Sequence, residues 1–258
     1  MLRGIYSSAT GMQVQKDMQE MIADNLANAN TSGYKAISHS YKSYADEPLT
    51  NTSSGKVIGA LSYGAEAYST DFNLAQGPLR ETGNPLDLAI QGEGFFPIQV
   101  EDGQIAYTRN GHFTLDANGF IVTQQGEFLL DQGLAPIFMG VQGIRDLTIL
   151  TNGNIIINGE LVAQLNTFSF PKDAPMIRTA GDKYLPGSYD AAMNNSMNSS
   201  QYNVINTTVA QGFIETSNVS AVKTAADMVQ VMRGYESNQR TLKVQTDTLQ
   251  MLMDIGNI

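Results

Sequence analysis

The chain has 258 residues, no cysteine and a net charge of −10, with 42 % apolar residues. This composition predicts a folded protein of about two compact units, and it excludes whole-chain disorder, disulfides and cysteine-ligated metal sites. The charge argues against nucleic-acid binding, because residues 1–44 and 220–258 are nearly neutral and the middle holds 18 acidic against 7 basic residues, which leaves no basic face.

A helix is predicted from Leu2 to about Asn28. Apolar residues recur there at roughly helical period, no proline interrupts them, and Asn28, Asn30, Ser32 and Gly33 follow as turn formers. The stretch is not a secretory signal, because polar residues from Gln13 to Asp17 interrupt it. No segment of the chain reaches the ~20 continuous apolar residues that span a bilayer, so we expect no membrane insertion.

A β domain is predicted over residues 71–185, because runs of apolar and β-branched residues alternate there with turn formers. The clearest candidate strands are 113–115, 120–122, 128–130, 147–150, 155–157 and 161–165. Four Asn-Gly pairs, at 110, 118, 152 and 158, predict type I′ hairpin turns. Pro97 predicts that its strand lies at an edge or a bulge. Residues 31–70 and 186–219 are expected to be extended connectors, and within them the polar stretches Asp46–Gly59 and Ala191–Asn203 are predicted to be loops or extended connectors.

A second helix is predicted from about Ser220 to Asp254, with Ser217 or Ser220 as the N-cap. Two columns of residues repeat at seven-residue spacing: Ala221, Met228, Tyr235, Leu242 and Leu249, and then Ala225, Met232, Gln239, Thr246 and Met253. The predicted fold is therefore α+β. Long N- and C-terminal helices (1–30 and 220–258) pair as a coiled-coil-like unit, and the central domain is mainly β.

Three segments carry a resemblance to a known family. They are NLANANTSGYK (Asn25 to Lys35), GNPLDLAIQGEGFF (Gly83 to Phe96), and VAQGFIETSNVSAV (Val209 to Val222) followed by MVQVMRGYESNQRTL (Met228 to Leu242). Together, in this order, they resemble the flagellar basal-body rod and hook proteins. The segment between the first two looks more like the proximal-rod FlgF and FlhO-like branch than the hook protein, and the distal-rod FlgG branch is the alternative.

The resemblance implies a structural rod subunit that is not an enzyme and needs no cofactor or metal. It would pass through the flagellar type III export apparatus to the basal body and assemble with copies of itself and with other axial proteins of the rod and hook. The assembled tube would transmit torque. A hook subunit is the alternative, and a secreted adhesive module is the rival from another class. Gly234 stands where relatives usually carry alanine, at a cost of about 1 kcal/mol in helix stability.

Two sets of residues are predicted to serve assembly. Methionines on the helix faces are core residues or an adaptable interface, and we favour the interface because thioethers fit different neighbours. The predicted subunit interface is Leu2, Ile5, Ala9, Met12, Leu26, Met228, Met232, Tyr235, Leu242 and Leu249. Polar residues at the helix–connector junction, predicted to set the angle between tube and outer domain, are Asn25, Asn28, Gly33, Glu215, Ser217 and Asn218.

Three motifs that suggest chemistry have simpler interpretations. Gly92-Glu93-Gly94 lacks the third glycine and following helix of a nucleotide loop, so we interpret it as a turn before Phe95 and Phe96 enter the core. Asp116, Asn118 and Glu127 match three calcium-loop positions, but the glycine is misplaced and a hairpin turn fits better. Asp87, imagined with Glu93 as an acid–base pair, is expected to bond backbone amides of the turn over 83–88.

Overall fold

The structure is a computed structural model that describes residues 2–44, 47–52, 55–100, 103–140, 147–170, 176–179, 182–186, 203–205 and 208–256. These residues form two helices and twenty strands, in the order α1 (Leu2–Ala27), β1 (Ile37–Tyr44), β2 (Glu47–Thr50), β3 (Val57–Leu61), β4 (Gly64–Phe72), β5 (Leu79–Glu81), β6 (Leu88–Gln91), β7 (Phe96–Gln99), β8 (Ile105–Thr108), β9 (Phe113–Leu115), β10 (Ile121–Thr123), β11 (Phe128–Leu129), β12 (Leu147–Ile149), β13 (Asn154–Ile157), β14 (Glu160–Gln164), β15 (Thr167–Ser169), β16 (Met176–Arg178), β17 (Lys183–Pro186), β18 (Asn203–Ile205), β19 (Thr208–Gln211), β20 (Phe213–Glu215) and α2 (Ala221–Gly256).

The α+β class is confirmed, with helices at both ends and a mainly-β region between them. Both helices begin and end within two residues of their predicted bounds, and the six candidate strands match β9 to β14. Because α2 begins at Ala221, Ser220 occupies the N-cap position, and its carbonyl accepts a hydrogen bond from Thr224 N at 2.9 Å. Neither described helix is long and apolar enough to cross a membrane.

The chain folds as two compact units. The helical unit comprises residues 1–27, 36–73 and 219–258, and the β unit comprises residues 28–35 and 74–218. In the helical unit β1 pairs antiparallel with β4, and β2 with β3. This differs from the extended connector expected over 31–70. The polar composition did not indicate a strand, because only alternate residues at the start of β1 are half-buried and the others are exposed to solvent.

The stretch Asp46–Gly59 was predicted as a loop or an extended connector, and its loop alternative is wrong where β2 and β3 form a paired ribbon. The loop or extended connector predicted over Ala191–Asn203 lies outside the described residues, except Asn203, which begins β18. In the expected connector over 186–219, the described strands β18, β19 and β20 pair with β15, β6 and β5. The returning chain is therefore part of the β unit, because its backbone groups pair with β5 and β6 near the unit's beginning and with β15 later in it.

The β unit is built around a seven-stranded sheet in the order β16-β17-β8-β7-β11-β10-β9, beside a three-stranded sheet β12-β13-β14. All the described pairings are antiparallel. Its core packs Leu88 and Ile90 of β6 against Phe96 and Ile98 of β7 and Phe113 of β9, each 2 % exposed or less. These alternating apolar positions explain why β6 and β7 are held at the centre of the unit.

Pro97 lies neither at an edge nor at a bulge, because the pairings of β7 with β8 and β11 show no shift in register, and this overturns the prediction. Strand β7 lies between β8 and β11, where Pro97 pairs with Tyr107 and its carbonyl accepts from Leu130 N at 3.0 Å. In an antiparallel pair the N–H and C=O of a residue point to the same side. The missing N–H therefore faces β11 where that strand has already ended, at Leu129, so few hydrogen bonds are lost.

Of the four Asn-Gly pairs, one fits the predicted type I′ turn. Asn158 and Gly159 both have positive φ, 52° and 85°. At 118–119 and 152–153 only the glycine does, and each closes a three-residue loop whose glycine N–H bonds the carbonyl three residues back, to Asp116 O at 3.2 Å and to Leu150 O at 2.9 Å. Gly111 does not have a positive φ. Its lack of a side chain instead permits the backbone of Leu88 to come close, since a Cβ on Gly111 would lie 1.5 Å from Leu88 O.

Candidate functional site

Helices α1 and α2 pack antiparallel in the helical unit, and two glycines of α1 face side chains of α2. A Cβ built on Gly4 would lie 2.5 Å from Gln245 Nε2, and one on Gly11 would lie 3.1 Å from Asn238 Nδ2. Gly4 and Gly11 are seven residues apart, as are Asn238 and Gln245. Each glycine thus forms a notch on one helix that receives an amide side chain of the other, at heptad spacing.

The half-buried residues of α2 include members of the first predicted column but none of the second. Met228, Leu242 and Leu249 of the first predicted column are half-buried, but the second column, from Ala225 to Met253, is exposed. A different column, Thr224, Val231, Asn238 and Gln245, is half-buried instead. Asn238 and Gln245 were not predicted as contact residues, because they fit glycine notches, which hydrophobic periodicity does not reveal.

The predicted interface residues fall into two groups. Ile5, Met12, Met228, Leu242 and Leu249 are half-buried within the helical unit, whereas Ala9, Leu26, Met232 and Tyr235 are exposed. The Leu2 side chain lies outside the described part of the structure. Further exposed apolar residues of the helices, which the predicted set did not include, are Tyr6, Val222, Val229, Val244, Met251, Leu252, Met253 and Ile255. The helical unit thus presents a large apolar surface that its own chain does not cover.

Gly234 is expected to tolerate alanine with a gain in stability. A Cβ there would lie 3.1 Å from the terminal amide atoms of Gln15, which is the movable end of a flexible side chain. Gly234→Ala should raise the free energy of unfolding by up to about 1 kcal/mol through helix propensity. Gly4→Ala, whose Cβ would meet Gln245 at 2.5 Å, should gain less. Urea unfolding followed by far-UV circular dichroism measures both; a loss for Gly234→Ala would contradict the expectation.

A buried ion cluster holds the β unit together where its first and last segments meet. Glu215 Oε1 accepts from Lys35 Nζ at 2.7 Å and from Gly77 N at 2.8 Å, and Glu215 Oε2 accepts from Arg109 Nε at 2.6 Å. The Lys35, Arg109 and Glu215 side chains are 1–2 % exposed. One carboxylate near the end of the unit's sequence therefore binds two buried cations, one from its first segment and one from its interior.

The two cations have further partners on the backbone. Arg109 donates to the carbonyls of Ile90, Gly92 and Gly94, and Lys35 Nζ donates to Ala75 O at 2.9 Å. Burial lowers the pKa of the Lys35 ammonium group, and the charge and hydrogen bond of Glu215 oppose this shift. Glu215 was among the predicted junction residues, whereas Lys35 and Arg109 were not. The only signals were that Lys35 ends the first motif and that Arg109 is a cation in an acidic region.

The other predicted junction residues are placed as follows. The Asn25 side chain, in the helical unit, both donates to Ile37 O and accepts from Ile37 N, at 2.8 and 2.9 Å. In the β unit, Thr31 Oγ1 donates to Asn28 Oδ1, and Asn218 Nδ2 donates to Ala75 O. Gly33 N donates to Glu215 O at 2.8 Å, and Ser217 is buried. These bonds account for the polar residues locally, as backbone-satisfying contacts.

The three motifs that suggested chemistry in the sequence have structural contacts. Gly92 and Gly94 have φ of 107° and 130° and precede Phe95 and Phe96, which are buried, as predicted. Asp116 caps a hairpin turn, as predicted: its Oδ1 accepts from Asn118 N and Phe120 N, and the Phe120 bond is the main cause that lowers the pKa of Asp116. The interpretation of Asp87 is wrong, because its buried carboxylate bonds side chains, His112 Nδ1 at 2.6 Å and Asn84 Nδ2 at 3.1 Å.

Comparisons with known proteins identify the class of protein to which this chain belongs. Three family models match in chain order: a flagella basal body rod protein model over residues 5–35, the flagellar hook protein FlgE/F/G D1 domain over 89–157, and the flagellar basal body rod FlgEFG protein C-terminal model over 210–255. They cover α1 with the segment that carries Lys35, the centre of the β unit, and α2 with Glu215. The chain therefore has the domain composition of a flagellar axial protein.

Relatives match over nearly the whole chain. The flagellar basal-body rod protein FlgG of Buchnera aphidicola subsp. Schizaphis graminum is 30 % identical, covering 99 % of this chain and 100 % of the relative. FlgG of Borreliella burgdorferi is 29 % identical over 96 % and 97 %, and FlgF of Caulobacter vibrioides is 31 % identical over 84 % and 83 %. This chain belongs to the flagellar basal-body rod protein family, and it is a structural protein of the flagellar basal body, not an enzyme.

Proposed function

We propose that this chain polymerises into the axial tube of the rod through its helical unit. The observation that carries the proposal is the apolar surface of α1 and α2 that the unit's own packing leaves exposed. In water such a surface is unfavourable, and burying it against several neighbours would stabilise a polymer. Heterologous contacts that do not close into a ring produce a tube, which can transmit torque.

The two helices would act in this tube as one coiled-coil-like pair. The heptad-spaced notches at Gly4 and Gly11 support such a pairing, since each receives an amide of α2. The partners would be copies of this chain and other axial proteins of the rod and hook, reached after passage through the flagellar type III export apparatus. The relatives include both FlgG and FlgF proteins, so the proximal branch, which we prefer, stays a prediction.

The test removes exposed apolar surface without touching the core. Met232→Glu combined with Met253→Glu should abolish rod incorporation and swimming, because two charges would be buried at contacts between subunits. Both positions are about half exposed or more, so the fold of the single chain should change little. The matched control, Gln230→Glu with Thr248→Glu, adds the same charges at exposed polar positions on a different face of the same helix.

The readouts are swimming in soft agar and the amount of this chain in purified basal bodies, in a strain without the wild-type copy. Normal rods from the methionine variant would contradict assembly through this surface. A secreted adhesive module, the rival function, predicts that motility is unaffected by either variant.

A further inference from the structure

An acidic groove runs along the helical unit between α1 and the β1–β4 hairpin. Asp17, Glu20 and Asp24 of α1 form one wall, and His39, Tyr68 and Thr70 of the hairpin line the other. Among the described residues that line it there is no lysine or arginine. Lys16 offsets part of this charge through an exposed pair with Glu20, 3.5 Å apart. The remaining carboxylates give the groove a net negative charge beside apolar side chains such as Tyr68 and Met21.

A stripe on α2 carries two arginines and is called here the basic stripe, although Glu236 and Asp247 lie beside it on the same helix face. It is formed by Val222, Val229, Arg233, Arg240, Val244 and Met251, all of which are exposed. Residues 222, 233 and 244, and residues 229, 240 and 251, recur every eleven positions, which is three helical turns, so the stripe is nearly straight. Arg233 lies two positions after Val231, and Arg240 lies two positions after Asn238. Val231 and Asn238 belong to the half-buried column. This offset places the two arginines about 200° around the helix, away from α1.

The charges of the groove and the stripe have the same spacing. Asp17 and Asp24 are seven residues apart on α1, and Arg233 and Arg240 are seven residues apart on α2. Each pair therefore spans about 10 Å along its helix. Among the described residues, Arg240 has an exposed contact with Glu236 at 3.7 Å, with side chains 83 % and 62 % exposed. Such an exposed contact contributes little to stability, so it would be exchanged readily for a contact with another subunit.

We propose that the acidic groove of one copy receives the basic stripe of α2 from a second copy, with Arg233 and Arg240 facing Asp17 and Asp24. The flanking valines of the stripe would cover Tyr68 and Met21. Complementary charge at matched spacing selects the register of the two helices, whereas apolar contact alone does not. The inference rests on the proposed function and adds to it a particular contact between subunits.

A charge-reversal cycle in a strain without the wild-type copy tests the pairing. Arg233→Glu with Arg240→Glu, and separately Asp17→Lys with Asp24→Lys, should each lower the amount of this chain in purified basal bodies at least about tenfold, because like charges would then face each other. One chain carrying all four changes should return to within about twofold of the wild type, since every interface is then complementary again. Lys223→Glu with Lys243→Glu reverses two charges of α2 outside the stripe and should have no effect.

Each result decides the proposal. Normal assembly of both double reversals overturns it while leaving the proposed function intact. Failure of the fourfold variant to recover also overturns it, because the defects would then have separate causes. If the methionine variant described above also assembles normally, the proposed function itself fails. Circular dichroism of the purified single chains distinguishes lost assembly from lost folding.

Engineered cysteines give a second readout, since the natural chain has none. Ala67→Cys in the groove and Ser237→Cys beside the arginines, in one chain, should cross-link under oxidation into a ladder longer than dimers. Either cysteine alone should give no ladder, because each copy would then have one thiol. The absence of a ladder from assembled rods carrying both cysteines would overturn the proposed contact.

Discussion

Glu215→Ala is expected to lower the free energy of unfolding of the β unit by about 3–5 kcal/mol, because Lys35 and Arg109 would remain buried without a carboxylate. Lys35→Met should cost less, since it leaves one cation with one carboxylate and keeps most of the lysine stem in place. Glu160→Ala removes an exposed carboxylate of the same unit and should change stability by less than about 0.5 kcal/mol.

Urea unfolding followed by near-UV circular dichroism suits this comparison, because Tyr34, Tyr107 and Tyr184 are buried in the β unit and report its packing. Guanidinium is less suitable, since it is a salt and screens charges. If Glu215→Ala were no more harmful than Lys35→Met, Glu215 would not be the common partner of the two cations.

Gly33→Ala is expected to destabilise the β unit by about 2–5 kcal/mol, for two separate reasons. Gly33 has a φ of 71°, in the left-handed region that disfavours a Cβ. A Cβ there would also lie 2.4 Å from the backbone carbon of Arg109, which cannot move aside as a side chain would. That contact would displace the arginine that bonds Glu215.

Gly83→Ala separates the two causes. Its φ is 73°, but a Cβ there would meet no atom within 4 Å. It should therefore show the conformational cost alone, about 1–2 kcal/mol. Equal losses for the two variants in urea unfolding would mean that the approach of Gly33 to Arg109 contributes nothing.

Short-range patterns predicted the elements well. Both helix bounds and the strands from β9 to β14 follow from periodicity and turn formers, because helical and strand preference depends on near neighbours. Turn types were less predictable. Only Asn158-Gly159 adopts the predicted form, because loop length and the bonds of flanking residues such as Asp116 select the turn.

The sequence by itself determined that helices lie at both ends, that the middle is β, and which family motifs the chain carries. Tertiary structure alone decided which side chains meet. The partnership of Lys35, Arg109 and Glu215 joins residues up to 180 positions apart, and nothing local to any of them indicates the others. The same holds for Pro97, which β11 tolerates by ending early, and for the glycine notches that admit amides of α2. Burial and pairing over such separations depend on the whole fold, which local propensity does not encode.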